Sequence, residues 1–132
     1  MDDVAVYLWV ALGGALGSVA RFTLGNIAAA TLGAGFPWGT LLINILGSFV
    51  ISAFGGLATR FALPFEARAF VTVGICGGFT TFSSFSLQTV ELAKSGHPAR
   101  AALYVAASVA LCLLACTAGF ISASALNAPR EG

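Results

Sequence analysis

Four long apolar runs divide the chain, and short clusters rich in glycine, proline and charge separate them. The first run extends from about Val4 to Leu24 and is expected to end at Gly25-Asn26 and the glycine-rich stretch through Gly35-Phe36-Pro37. A second run starts near Trp38, whose indole suits a membrane interface, and continues to about Thr59, ahead of Arg60, Pro64, Glu66 and Arg68. The third covers roughly Ala67 to Leu92 and is turned by Lys94-Ser95-Gly96-His97-Pro98; the fourth goes from about Ala99 to Leu126, before the polar tail Asn127 to Gly132. A membrane-crossing helix needs about 20 apolar residues. Four of them use almost all of the 132 residues, so the pattern predicts an all-α integral membrane protein with a single transmembrane domain over 1–132.

Composition agrees with this pattern. With 58% hydrophobic and 8% charged residues, the chain lacks the polar surface of a soluble domain, which carries about 25% charge. No room is left for a soluble catalytic domain, and no enzyme is expected. The net charge of +1, from scattered Lys and Arg, gives no reason to expect nucleic acid or an acidic partner. Cys76, Cys112 and Cys116 lie in apolar runs without a CxxC, and His97 is the only histidine, so no zinc constellation is expected. Met1-Asp2-Asp3 lacks the basic start of a signal peptide, and the first helix is expected to be retained.

Polar residues inside the spans carry more information, because each must find a partner in hydrocarbon. The first span puts Gly14, Ser18 and Arg21 at intervals of four and three, with Gly17 on the same face. This is a small-residue groove ending in a cation that either snorkels to the interface or attracts an anion. In the second span Thr40, Asn44, Gly47 and Ser48 share a stripe, with Ser52 one turn further on. The Asn44 amide can donate to an anion and accept from a neighbour, or it can simply join two helices. Tyr104, Ser108 and Cys112 follow at intervals of four in the fourth span and border either a wet path or an ordinary helix contact.

The third span contains GICGGFTTFSSFS, from Gly74 to Ser86. Gly74, Gly77 and Gly78 followed by Thr80 and Thr81 make a poor helix interior, since glycine costs about 1 kcal/mol relative to alanine. The stretch predicts a third helix broken mid-membrane. Such breaks survive where the freed backbone groups line a cavity, coordinate an ion or are satisfied by neighbouring helices. Exposed carbonyl oxygens suit a hard cation such as Na⁺. Beyond the break, Phe82 and Phe85 share a helix face, with Ser83 and Ser86 on the adjacent one. The rings are either lipid and packing contacts or, through their electropositive rims, partners for an anion.

Three segments together, GSVARF (Gly17 to Phe22), GTLLINILGSF (Gly39 to Phe49) and the third-span motif, resemble the Fluc family of fluoride channels, also called CrcB proteins. The resemblance runs through all four spans in order. It implies an antiparallel, dual-topology homodimer with two fluoride pores at the subunit interface, and so supplies the inverted partner that a single copy of four helices lacks. By motif, Phe82 and Phe85 resemble the phenylalanine box of each pore, and Asn44 the asparagine that donates to fluoride. The backbone carbonyls of Gly77 and Thr80, from both subunits, would hold a central structural Na⁺. Arg21 matches the arginine near the aqueous vestibule, while Thr40, Ser83, Tyr104 and Ser108 are candidates for the polar track. Cys112 stands where serine is expected in some members, and a thiol is a weaker donor.

The function implied is passive, selective conduction of fluoride across the cytoplasmic membrane, protecting against a toxic ion. A proton-coupled exporter of organic cations is the first rival, but it needs a mid-span carboxylate, whereas Glu91 is near a span end. A noncatalytic subunit packing on a larger partner through its glycine faces is the second. Charge bears on orientation as well. The side with the termini and second connector carries Arg60, Arg68 and Arg130, and the other carries Lys94, Arg100 and a snorkelling Arg21. That balance gives insertion little direction, as dual topology requires.

Overall fold

A computed structural model describes residues 3–127; Met1, Asp2 and the end of the polar tail, with Arg130, lie outside the described residues. The described chain is helical throughout, in the order α1 (Asp3–Leu32), α2 (Trp38–Arg60), α3 (Phe65–Ala69), a π-helical stretch (Phe70–Cys76), α4 (Gly77–Phe79), α5 (Phe82–Lys94) and α6 (Pro98–Asn127). Taken as one unit, Phe65–Lys94 joins α1, α2 and α6 as a helix long and apolar enough to cross a membrane.

One boundary differs from the sequence expectation. Helix α1 does not stop at Leu24 but continues through Gly25 and Asn26 to Leu32. Gly25 is a contact rather than a breaker: a Cβ on Gly39 of α2 would lie 3.2 Å from the Gly25 Cα, so the two glycines let α1 and α2 approach. The chain turns instead at Gly33, whose φ of +83° is the left-handed conformation that glycine adopts without strain.

Glycines also set the distance between α1 and the third span. Gly13 and Gly17, four apart, face Gly74 and Gly78, also four apart. A Cβ on Gly74 would sit 2.9 Å from Gly13 Cα, one on Gly17 would sit 2.9 Å from Phe79 N, and one on Gly78 would sit 3.0 Å from Gly14 Cα. Backbone thus packs on backbone, as small-xxx-small pairs allow. Gly14, expected on the packing face, contributes its main chain, while its own Cβ position is open. On the other flank α2 packs on α6, where Gly56 meets Ala123 and Gly119 meets Ser52. Arg60 closes this pair by donating from Nη1 to the Leu126 carbonyl in the last turn of α6.

Little of the single chain is enclosed. Among the described residues, a buried cluster consists of Leu41, Phe85 and Tyr104, flanked by Phe36, Ile45 and Leu92. Large apolar side chains such as Phe82, Leu113 and Phe120 stand outward, as expected where lipid or another protein surface covers them.

The glycine packing makes a contrast that unfolding in detergent checks. Gly17→Ala should lower stability by about 1–3 kcal/mol, because backbone atoms that cannot yield meet the new methyl. Gly14→Ala, with nothing within 4 Å of the new atom, should stay within about 0.5 kcal/mol of the parent.

Candidate functional site

The third span is interrupted at Thr80 and Thr81, whose backbones are extended (φ −82°, ψ 156° and φ −152°, ψ 114°). Extended residues withdraw N–H groups from the helical pattern, so every group near the break needs another partner. Thr81 N–H, which would close a helical turn on Gly77, donates instead to Asn44 Oδ1 at 2.8 Å. Asn44 Nδ2 in turn donates to the Thr81 carbonyl at 3.1 Å. The side chain of Thr81 then caps α5, accepting from Ser84 N–H at 3.1 Å. That bond diverts the N–H which would otherwise return to Thr80. On the α1 side, Arg21 Nε donates to the Gly78 carbonyl at 3.0 Å. The carbonyls of Gly77 and Thr80 are therefore released from the helical pattern by the bonding of Thr81 and Ser84.

The glycines of the break divide their work. Gly74 and Gly78 face α1, whereas Gly77 points the other way, with nothing nearer to its Cβ position than Thr72 O at 4.0 Å. Gly77 opens onto a groove of about 500 Å³ that brings together Asn44, Thr80, Thr81, Phe82, Phe85, Ser108 and Cys112. Among the described residues no charged side chain lines it. Gly47 of α2 makes room for the methyl of Thr80, one turn after Asn44.

Within the groove, Phe82 and Phe85 have ring centroids 5.3 Å apart and are tilted by 52°. Phe85 is buried, while Phe82 is 78% exposed. Ser108 is unusual among the hydroxyls of the spans. Ser52, Thr59, Thr72, Thr117 and Ser122 each return a hydrogen bond to a carbonyl four residues earlier. The Ser108 hydroxyl is buried and has no partner among the described residues. Leaving such a group unsatisfied costs about 1–3 kcal/mol.

Other predicted residues lie off the groove. Tyr104 is fully buried between Phe85 and Phe36, at centroid distances of 5.1 Å and 5.4 Å, and its hydroxyl donates to Gln88 Oε1 at 2.9 Å. Thr40 is buried and borders a second cavity of about 480 Å³ together with Gln88 and Glu91. Ser83 is exposed, with its hydroxyl 3.2 Å from Thr81 Oγ1. Two participants were not anticipated from sequence. Gln88 follows Phe85 by three residues, so its face was readable. Thr81 precedes a helical stretch and has the residue type of an N-cap, which was the available signal.

Among the described residues no group of three or more His, Cys, Asp or Glu could hold a metal ion. The break does offer neutral carbonyl oxygens, which are hard-cation donors, and those of Gly77 and Thr80 fit that chemistry.

Four apolar helices, one of them interrupted where the polar groups gather, define a multi-pass integral membrane protein. The model of the family described as CrcB-like protein, Camphor Resistance (CrcB), matches residues 8–120, and the chain belongs to that family. A protein of Methylocella silvestris named fluoride-specific ion channel FluC is 51% identical over 124 residues, covering 92% of this chain and 95% of its own. A protein of the same name from Opitutus terrae is 49% identical, covering 94% and 96%. Another from Thermus thermophilus is 49% identical, covering 91% and 96%.

The double bond between Asn44 and Thr81 predicts that Asn44→Ala destabilises the fold by about 2–4 kcal/mol, since it strips two backbone groups at once. Thr81→Ala, which removes one cap, should cost about 1 kcal/mol. Thermal or denaturant unfolding of the two variants in the same detergent gives the comparison.

Proposed function

We propose that the chain is a fluoride-specific channel of the cytoplasmic membrane that lets fluoride leave the cell passively, through two pores in an antiparallel homodimer. The shared name of its close relatives supports this reading. The observation that carries it is the uncharged groove in which an amide, a pair of tilted rings and an unsatisfied hydroxyl face one space.

Fluoride is small and tightly hydrated, and an isolated charge in a medium of low dielectric costs tens of kcal/mol. A pore must replace the water with donors. One Asn44 N–H is engaged on Thr81, and the amide nitrogen has a second to offer an anion. Ser108 offers a hydroxyl one turn from the Cys112 thiol, and Phe82 and Phe85 offer ring edges. Tyr104, Thr40 and Ser83 extend the polar path away from the groove. None of these donors carries a full charge, so each holds the ion weakly enough to pass it on.

The Gly77 and Thr80 carbonyls of one chain are too few to surround a cation; a second, inverted copy doubles them, and a structural Na⁺ between the copies would hold the breaks together mid-membrane. The exposure of Phe82 and the outward-facing Gly77 support a partner on this side. Export driven by protons fits less well, because no carboxylate among the described residues lines the groove.

Purified protein in liposomes should release fluoride without a proton gradient. Substrate-driven proton movement would identify an exporter, and absence of flux a subunit of something larger. Phe82→Ile and Phe85→Ile should each fold and slow the flux by about tenfold or more, as expected when an aromatic contact is lost at similar volume. Normal flux in both would remove the ring edges from the mechanism.

Orientation offers a separate check. A reporter on the C-terminus should appear on both faces of the membrane, and two or three lysines added to one side should bias insertion and lower the yield of conducting dimers. A native-level fusion found on one face only, in membranes that still conduct, is the result that excludes dual topology.

A further inference from the structure

We infer that Arg21 is a positioning residue of the broken helix, its guanidinium holding the carbonyl end of the interruption from α1, rather than a surface charge that attracts the anion. This rests on reading the break as part of the fluoride pathway. Arg21 is half-buried, and its Nε donates to the Gly78 carbonyl at 3.0 Å across 57 positions of sequence. The interruption at Thr80 and Thr81 leaves that carbonyl without the N–H of a following turn. The bond thus satisfies a group that an apolar medium would otherwise leave bare.

The placement is built by the backbone. Gly14 touches Gly78, and Gly17 touches Phe79, so α1 lies against the break over the two turns that precede Arg21. A lysine cannot substitute in kind. Its ammonium is a strongly hydrated point at the end of a flexible stem, whereas Nε–H is held in the guanidinium plane and can reach a carbonyl sideways. Gly78 is occupied by Arg21 and Thr81 by Asn44, whereas Gly77 and Thr80, which both line the groove, keep carbonyls that neither side chain holds. Arg21 therefore removes the Gly78 oxygen from those that the break leaves available.

The two roles for Arg21 separate in R21K and R21M, measured by fluoride flux in liposomes and by amide hydrogen exchange across residues 79–85 in the folded dimer. A surface charge survives in R21K. A positioning bond does not. We expect both variants to exchange at least about tenfold faster at Thr81 and Ser84, as loss of a charge-assisted bond allows, and to lose flux at saturating fluoride regardless of ionic strength. R21K with parental exchange, or with a flux deficit that disappears at high fluoride or that depends on ionic strength, overturns the inference. Should neither variant fold, the unmodified chain labelled at glycine carbonyl carbon and arginine Nε provides the test by solid-state NMR: a dipolar coupling between Arg21 and Gly78 is expected, and its absence refutes the bond. If the unmodified chain carries no fluoride, the proposed function fails while exchange and coupling still judge Arg21.

Discussion

The amide of Asn44 meets both the N–H and the carbonyl of Thr81, and the rest of the site is arranged around that pair of bonds. A helix interrupted in an apolar medium exposes donors and acceptors that water cannot reach, each costing on the order of kcal/mol if left bare. Asparagine answers both needs with one side chain, since its terminal group carries a donor and an acceptor side by side. Aspartate would match the N–H but not the carbonyl. The amide also fixes where α5 begins, because Thr81, once held, caps the first turn with its own hydroxyl. Phe82 and Phe85 follow from that starting point, so the placement of the rings depends on a residue of another helix.

The segment before the break is set from the opposite side. The pairs Gly13/Gly17 and Gly74/Gly78 bring α1 and the third span into backbone contact, while Gly77 stays open to the groove. The π-helical stretch ends at Cys76, whose carbonyl accepts from both Thr80 N–H and Thr80 Oγ1, at 3.0 Å and 2.8 Å. Thr80 is thereby tied back toward the helix it leaves, with its methyl seated against Gly47. Fixed contacts to α1 and α2 thus frame a short extended link. A link held at both ends presents its carbonyls in set directions.

Much of this was visible in the sequence, and the exceptions have physical causes. Four spans could be read because hydropathy is local, and the GGFTT stretch announced a break because its residues disfavour helix wherever they stand. The end of α1 was misjudged because Gly25 has the same local signature whether it breaks a helix or packs on Gly39. The three glycines of the third span looked alike; which two face α1 is a property of the neighbouring helix. Asn44 plainly needed a partner, but Thr81 lies 37 positions away, a distance that no periodicity spans. Spacing puts Ser108 on one stripe with Tyr104 and Cys112, yet the lack of a partner for its hydroxyl among the described residues is a matter of rotamer and surroundings.

Helix α1 has a further consequence for how the molecule sits in lipid. Its 30 residues make a rod of about 45 Å, against a hydrocarbon layer of about 30 Å. Even inclined by 40°, near the limit for such helices, the rod would still cover about 34 Å of depth. Part of it must stand clear of the acyl chains, and the same holds for the equally long α6. The stretch Gly25 to Leu32 is the continuation of α1 toward Phe36, Pro37 and Trp38, where the 480 Å³ cavity with Glu91 and Ser95 opens. An overhang on that side would raise a helical wall beside this cavity, clear of the acyl chains. Bilayer thickness then sets the height of that wall, so a thicker membrane would draw the cavity in toward the headgroups.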